Sequence, residues 1–400
     1  MQTLASLAKK NKKQFSMTSM AKKNMRQYSM IIALIFIMLL FQILTEGILL
    51  KPLNITNLIL QNSYILVLAI GMVLVIITGH IDLSVGSIAA FVGAISGILI
   101  VQHHMSTFMA IIISLLIGAI IGAWQGFWVA YMKIPAFIVT LAGMLLFRGL
   151  TMIVLKGQSI APYPKSFQGM SSGFIPDLFG GGSIHLLTIV IGILLSIILI
   201  FSELKNRRVQ LKYQFDVPPT SVFVGKIVVL VGIINVFSYV LSTYNGIPNI
   251  LITLAILILA YTFVMRKTVV GRHIYAIGGN EKAALLSGVK TKKMTFWVFV
   301  NMGALSALSG LIFAARLNAA TPKAGNLFEL DAIAACFIGG ASAYGGIGTV
   351  PGAIIGGLVM GIMNNGMSLI GLGIDWQQAI KGLVLLAAVA FDIYNKNKAS

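Results

Sequence analysis

Apolar stretches recur along the whole chain, and each is long enough for a helix to cross the hydrocarbon core of a membrane. A crossing helix needs about twenty mainly apolar residues, because each residue advances the helix by about 1.5 Å. Windows of that kind fall at 30–50, 57–78, 85–102, 108–131, 136–155, 184–203, 222–243, 249–266, 294–316, 331–345, 350–370 and 377–394. Charged residues make up only 10% of the chain, against about 25% in soluble domains. We therefore predict an all-α polytopic membrane protein with about twelve transmembrane helices.

Basic residues are distributed unevenly between the two sides that these windows define. Twelve spans place both ends of the chain on one side, which receives 21 Lys and Arg residues, whereas the other side receives 4. Because Lys and Arg accumulate in cytoplasmic loops, both termini are predicted to be cytoplasmic. The predicted divisions are a basic tail at 1–29, a membrane domain at 30–395 and a C-terminal end at 396–400. The net charge of +19 then indicates contact with anionic lipid rather than with nucleic acid.

Glycine-rich segments interrupt the apolar pattern at two places. The first is Thr78–Ser87, TGHIDLSVGS, and the second is Ile338–Gly352, IGGASAYGGIGTVPG. Non-helical backbone at membrane depth persists only where it is buried in protein or lines a water-filled cavity, which favours a transport pathway. Each segment lies between an apolar run and a Gly/Ala-rich run, so one interpretation is an internal repeat; the alternative is that glycine is simply common in membrane helices. The pathway and gating candidates in and near these segments are Asp82, Ser84, Gly86, Arg148, Glu329, Asp331, Gly339, Gly340, Ser342, Gly345 and Gly346.

Ionisable side chains inside predicted spans are costly and therefore informative. Arg148 has two interpretations: a structural ion pair, which we favour, or a cavity-facing donor to solute hydroxyls or to a state-dependent acidic partner. Its candidate acids are Glu329, Asp331 and Asp375. Asp82 is predicted to cap the helix that follows it, and Lys381 to reach the outer interface. So few buried charges predict a neutral cargo rather than an ion.

Motifs of enzymes and of metal sites do not stand out in the sequence. The Gly-rich segment at 345–352 lacks the Gly-Lys-Ser/Thr of a P-loop, and no HExxH occurs. His103 and His104 have no nearby carboxylate or thiol, so no metal site is predicted. The single Cys336 excludes an internal disulfide. We expect no catalytic residue and no cofactor, and we expect the apolar run at 30–44 to be a first span rather than a cleaved signal peptide.

A polar island, GRHIYAIGGNEKAALLSGVKTKK, lies at Gly271–Lys293 between two apolar runs. Within it Asn280 is a good helix N-cap, and Glu281 suits the first turn. Ser287 and Gly288 supply a helix stop. The predicted short helix needs a surface to dock on, because it is too short to be stable alone in water. The island is either a membrane-hugging loop or a docking element for a cytosolic partner.

Four sequence blocks resemble the signature blocks of monosaccharide ABC importer permeases. They are AIGMVLVIITGHIDLSVGS (69–87), PAFIVTLAGMLLFRG (135–149), GRHIYAIGGNEKAALLSG (271–288) and ELDAIAACFIGGASAYGGIGTVPGA (329–353). Within that family the D-xylose type is the better match, because the chain is longer than a ribose-type permease and ends NNGMSLIGLGIDWQQAIKGLVLLAAVAFDIYNK. The resemblance implies a type II-like importer permease with an additional helix pair at 183–248.

The same resemblance implies partners. Permeases of this family form a homodimer and work with an extracytoplasmic sugar-binding protein and a cytosolic ATPase, whose two nucleotide-binding halves bind ATP and Mg²⁺. Segments 156–183 and 317–330 are then expected to receive the binding protein, and the segment 267–293 to face the ATPase. The coupling residues that the resemblance implies are Gly271, Arg272, Tyr275, Gly278, Asn280, Glu281, Leu285, Leu286 and Gly288.

The predicted function is therefore that of the permease subunit of an ATP-driven importer, which moves a monosaccharide, D-xylose or a related sugar, into the cytoplasm by alternating access. The alternative is a self-sufficient ion-coupled sugar carrier. Such a carrier is expected to place a coupling carboxylate at mid-membrane, where only Asp82 is a candidate. A third class, a non-transporting scaffold, would not need two broken spans.

Overall fold

The computed structural model describes residues 17–180, 182, 184–215 and 217–399. Helices dominate these ranges, which contain two isolated β-bridges but no strand. The helices are α1 Met17–Leu44, α2 Pro52–Ile77, α3 Val85–Gly97, α4 Thr107–Ala130, α5 Ala136–Leu155, α6 Lys165–Ser172, α7 Leu186–Lys212, α8 Thr220–Ser242, α9 Asn249–Lys267, α10 Val269–Gly279, α11 Glu281–Leu286, α12 Thr291–Leu317, α13 Phe328–Ile338, α14 Val350–Leu369 and α15 Ile374–Ala399. A π-helical turn, Ile98–Gln102, continues α3. The all-α prediction is confirmed.

The helices that are long and apolar enough to span a membrane do not coincide with all twelve predicted windows. In the described ranges, nine helices are long and apolar enough to cross a membrane, and α1 holds a shorter apolar stretch, Met30–Leu44. The window 331–345 is wrong as a continuous span, because α13 has 11 residues and ends at Ile338. Such a helix advances only about 16 Å. The chain leaves it at Gly339 and Gly340, and Gly340 adopts a left-handed φ of 79°.

Two compact units divide the chain, and the larger contains residues 30–175 and 248–400. Its central helix is α12, which packs against α2, α3 and α4. Helix α4 carries Gly118, Gly122 and Gly126, a spacing of four that leaves one face without side chains. A Cβ at Gly122 would lie 2.3 Å from the carbonyl oxygen of Phe299 in α12. The two helices therefore pack backbone to backbone, as small residues at this spacing allow in membranes.

The segments predicted to lie outside are joined within this larger unit. Ile160 and Ala320 form an antiparallel bridge with N–H···O distances of 3.0 and 2.9 Å. The backbone N–H of Tyr163 donates to Asn318 Oδ1 at 2.8 Å. The parts of these segments at 160–163 and 318–320 are therefore in direct contact.

The smaller unit contains the described parts of residues 1–29 and 176–247. Its main feature is the pair α7 and α8, the segment predicted as an additional helix pair. Asn235 Nδ2 donates to Ser196 Oγ at 2.8 Å between the two helices. At the basic end of the pair, Lys226 contacts Glu203 at 2.8 Å.

Parts of the predicted divisions lie outside the described residues. They are residues 1–16 of the basic tail, Ser183 and Asp216 of the predicted pair, and Ser400. The remainder of the tail, from residue 17, is helical and continues into the apolar part of α1.

Candidate functional site

Helix α11 is built by the local signals that the sequence predicts. Asn280 accepts a hydrogen bond through its side chain from the backbone N–H of Ala283 at 3.0 Å, which satisfies one free donor of the first turn. The helix ends where Gly288 adopts a φ of 86°, a conformation that costs glycine little. The predicted N-cap and stop are confirmed. Helix α10 has its own cap, since the Thr268 hydroxyl accepts from the N–H of Gly271 at 3.4 Å.

Helix α11 has one buried side, which attaches it to the rest of the chain, and one exposed side. Ala284 is buried against Ile277 of α10 and Val289 of the following loop, so these three residues form the footing of the helix. Leu285 and Leu286 point away from this footing and are 59% and 89% exposed. Two adjacent leucines left in contact with solvent are an apolar surface that a partner protein can bury.

A charged cavity lies beside the start of α11. It has a volume of about 420 Å³ and its lining includes His80, Lys133, Glu281 and Lys292. Lys133 Nζ, from the α4–α5 loop, contacts Glu281 Oε1 at 3.1 Å, and both side chains are about half exposed. Burial raises the pKa of Glu281, but the hydrogen bond and the charge of Lys133 outweigh it and hold that pKa below its usual value. Glu281 is therefore a carboxylate at neutral pH, although an exposed pair of this kind contributes at most about 1 kcal/mol.

Helix α10 folds back tightly on the end of α9. A Cβ at Gly271 would lie 2.3 Å from the carbonyl oxygen of Met265, so only glycine permits this turn without a shift. Arg272 is exposed beside it. Further along, the Tyr275 hydroxyl donates to the carbonyl oxygen of Gly348 at 2.7 Å. Gly278 packs against backbone atoms of Ile77 and Gly346. The predicted coupling segment therefore contacts the second broken segment and the residue directly before the first.

The first broken segment holds a buried polar chain. Asp82 Oδ1 accepts from the backbone N–H of Ser84 at 2.9 Å and from the Ser84 hydroxyl at 2.6 Å. Gln125 Nε2 of α4 donates to Ser84 Oγ at 2.7 Å. The prediction that Asp82 caps α3 is wrong, because the N-cap residue is Ser84 and Asp82 forms an Asx-type turn with it two residues on. All three side chains are buried, so this chain of hydrogen bonds ties the break to α4.

The second broken segment is a glycine-lined turn between α13 and α14. The Cβ that a side chain would add at Gly339 lies 2.3 Å from the carbonyl oxygen of Gly352, so the two helix ends approach closely. The backbone N–H of Ser342 donates to the carbonyl oxygen of Ile347 at 2.9 Å and closes the turn. Gly345 and Gly346 have φ values of 80° and 72°, which residues with a side chain adopt only at an energetic cost.

Arg148 is bound by an amide and a carbonyl group rather than by one of the predicted acids. Its Nη1 donates to Asn326 Oδ1 at 2.7 Å, and its Nη2 lies 3.5 Å from the carbonyl oxygen of Gly325. None of the ion pairs in the described ranges includes Arg148. Glu329 is buried nearby with Oε2 directed at Gly86, where an added Cβ would lie 2.5 Å away. The structural ion pair is therefore not formed, and Arg148 instead holds the loop before α13.

Asp331 pairs with Lys381 of α15. The Lys381 Nζ lies 3.0 Å from Asp331 Oδ1, and the two side chains are only 23% and 7% exposed. The prediction that Lys381 reaches the outer interface is wrong, because a buried carboxylate within reach offers the ammonium group a better partner than a distant interface. This pair attaches α15 to the short helix α13.

Comparisons with known proteins give matches along nearly the whole chain. Residues 54–389 match the family model of the permease component of the branched-chain amino acid transport system. A xylose transport system permease of Haemophilus influenzae is 40% identical over 369 residues, which cover 92% of this chain and 96% of that protein. The chain belongs to this permease family. The Escherichia coli xylose permease is 38% identical with 92% of each chain covered, and a Bacillus subtilis ribose import permease is 36% identical with 86% and 85% covered. No solved structure gave a significant match.

Family membership defines the role of the chain in general terms. The permease is the non-enzymatic, multi-pass membrane component of a sugar ABC importer, a kind of transporter that also uses an ATPase and a binding protein. The description of the family model names amino acids, whereas the relatives are sugar permeases. The family model therefore fixes the permease architecture and not the cargo.

The permease brings some predicted residues together and separates others. Gly278 meets Gly345 and Gly346, although about seventy residues of chain lie between them. Asp331 instead lies apart with Lys381. Sequence reasoning missed three polar partners: Gln125, Asn326 and Lys133. Of these, Gln125 had a usable signal, because an amide inside an apolar span needs a hydrogen-bonding partner.

Replacing Arg148 with Ala in the permease should leave the amount of folded protein close to normal. No carboxylate loses a direct partner, because Arg148 hydrogen-bonds to Asn326 and Gly325. These hydrogen bonds fix the loop before α13, so we expect sugar uptake to fall about tenfold or more, a loss equivalent to about 1.4 kcal/mol. Lys381→Ala is the contrasting variant, since it leaves Asp331 buried and unpaired and should lower the amount of protein. The measurement is the amount of each variant protein in membranes, together with its sugar uptake. If Arg148→Ala lowers the amount of protein as much as Lys381→Ala does, the prediction is contradicted.

Proposed function

We propose that this permease carries D-xylose or a closely related monosaccharide into the cytoplasm by alternating access. The observation that carries the proposal is the identity of 40% with a xylose permease over nearly the full length of both chains. Ribose permeases are less similar, at 36% identity for the Bacillus subtilis protein and 34% for that of Haemophilus influenzae. A neutral sugar also suits a chain with few buried charges.

The proposed assembly is a homodimer of this chain with a cytosolic ATPase and an extracytoplasmic binding protein. Helix α11 supports the ATPase contact, since Leu285 and Leu286 are exposed on a short helix with a buried footing. ATP and Mg²⁺ are bound by the two nucleotide-binding halves of the ATPase and not by this chain. The bridged segments 156–183 and 317–330 supply the surface for the binding protein.

Both termini are proposed to be cytoplasmic. The contact between Lys133 and Glu281 supports this orientation, because both residues lie in segments that the charge count assigns to the inside. A reporter fused after Lys398 and one inserted near Lys212 should both read cytoplasmic, whereas one near Ser171 should read external. The measurement is reporter activity in intact cells, and any exchange among the three readings would contradict the orientation.

The proposed function is tested by uptake into proteoliposomes that contain the permease and its ATPase. Radiolabelled D-xylose, loaded on the binding protein outside, should enter only when ATP is present on the ATPase side. Ribose and arabinose presented in the same way measure how far the cargo extends beyond xylose. Uptake that continues without ATP and follows an ion gradient would favour a self-sufficient carrier instead.

A further inference from the structure

We infer that Gly278 is a positioning residue through which α10 transmits the motion of the ATPase to both broken segments of the permease. The inference rests on the proposed function and adds to it the route by which α11, which faces the ATPase, reaches the interior of the membrane domain. It concerns a junction of three backbone segments: the end of α2 at Ile77, the turn at Gly346 and the end of α10 at Gly278.

The junction has no space for a side chain. A Cβ built on Gly278 would lie 1.6 Å from the carbonyl oxygen of Ile77 and 2.5 Å from the backbone nitrogen of Gly346. That nitrogen donates to the same Ile77 oxygen at 2.9 Å. Gly278 therefore covers a hydrogen bond that joins Ile77, the residue directly before the first broken segment, to the second broken segment.

A second contact fixes the orientation of α10 on the junction. The Tyr275 hydroxyl, one helical turn before Gly278, donates to the carbonyl oxygen of Gly348 at 2.7 Å. Gly348 in turn lies against the Ile77 side chain, where an added Cβ would be 2.9 Å from Cγ1. Helix α10 is therefore attached to the second broken segment by a hydrogen bond and to Ile77, directly before the first broken segment, by packing.

Contacts between backbone atoms transmit displacement well, because they have no rotamers that absorb it. Ile77 leads into the segment that carries Asp82 and Ser84, and Gly346 follows the short helix that carries Glu329 and Asp331. A movement of α11 and α10 therefore displaces both broken segments together. Helix α11 supplies the docking surface, whereas the Gly278 junction supplies the connection to the pathway.

The chain offers a matched pair of variants for testing this. Gly278 and Gly279 are neighbours at the end of the same helix, but a Cβ at Gly279 would meet nothing within 4 Å. In the complete complex of permease, ATPase and binding protein, Gly279→Ala should behave as wild type. Gly278→Ala should retain the ATPase on co-purification, yet lose about tenfold or more of both sugar uptake and the ATP hydrolysis that loaded binding protein stimulates, a loss equivalent to about 1.4 kcal/mol.

Tyr275→Phe tests the same junction without adding bulk, in case Gly278→Ala does not fold. It removes one hydroxyl, so uptake should fall about fivefold, the loss expected from one hydrogen bond, while the ATPase still co-purifies. The inference is overturned if Gly278→Ala takes up sugar at the wild-type rate, or if Tyr275→Phe leaves uptake unchanged. It is also overturned by a loss of co-purified ATPase in proportion to uptake, since docking and not transmission would then be impaired. If the wild-type complex shows no ATP-dependent uptake, the proposed function fails as well.

Discussion

A Leu286→Asp permease should reach the membrane in normal amount but should no longer retain its ATPase. Leu286 is 89% exposed and lies outside the buried footing of α11, so the substitution leaves the fold of the permease intact. Burying one leucine contributes about 1.5–3 kcal/mol, which corresponds to one to two decades of affinity. The aspartate adds the cost of desolvating a charge in the interface. The measurement is the amount of ATPase that co-purifies with the permease.

The control for this variant is another exposed leucine, in a segment that the charge count assigns to the outside. Leu178 is 75% exposed and lies in the segment predicted to be external. Leu178→Asp should therefore leave the amount of bound ATPase unchanged. Wild-type ATPase binding by Leu286→Asp would show that α11 is a surface loop rather than a docking element.

Replacing Gly345 and Gly346 together with Leu should abolish transport while the permease remains in the membrane. Both glycines have left-handed φ values, and an added Cβ at Gly345 would lie 3.0 Å from the carbonyl oxygen of Gly278. The rest of each leucine side chain has to displace α10 or the first broken segment. Left-handed backbone costs L residues roughly 1–2 kcal/mol at each position, in addition to this displacement. We expect uptake below a tenth of the wild-type rate.

A matched control separates backbone strain from bulk. Gly371 has a similar φ of 78°, but a Cβ there would meet nothing within 4 Å. Gly371→Leu should therefore carry the strain of one such substitution and still transport sugar. Equal loss of uptake in the two variants, with equal loss of protein, would assign the effect to strain alone and not to the packing of the second broken segment.

Local features of this permease were predictable from the sequence because neighbours in the chain create them. The apolar windows follow from the absence of water in the bilayer, which forces backbone groups to pair within each helix. The cap of α11 depends on Asn280 and on an N–H three residues away. The stop at Gly288 depends on the φ of that residue alone. The polar island at Gly271–Lys293 and both broken segments were predictable for the same reason, since each is defined by its own residues, whereas the coupling role of the island followed from the family resemblance.

Partners that are remote in the chain followed from packing and had no signal in spacing or composition. Arg148 finds Asn326 across 178 positions, and Asp331 finds Lys381 across 50. From the sequence, Arg148 had three candidate acids and Lys381 was predicted to reach the outer interface, whereas helix packing selected a different partner for each. The same holds for Gly278. Its lack of a side chain matters only because α10 packs against the backbone of Ile77 and Gly346. Helix formation is satisfied within a segment, whereas the choice of partner for a buried polar group or a close backbone contact depends on which segments pack against one another.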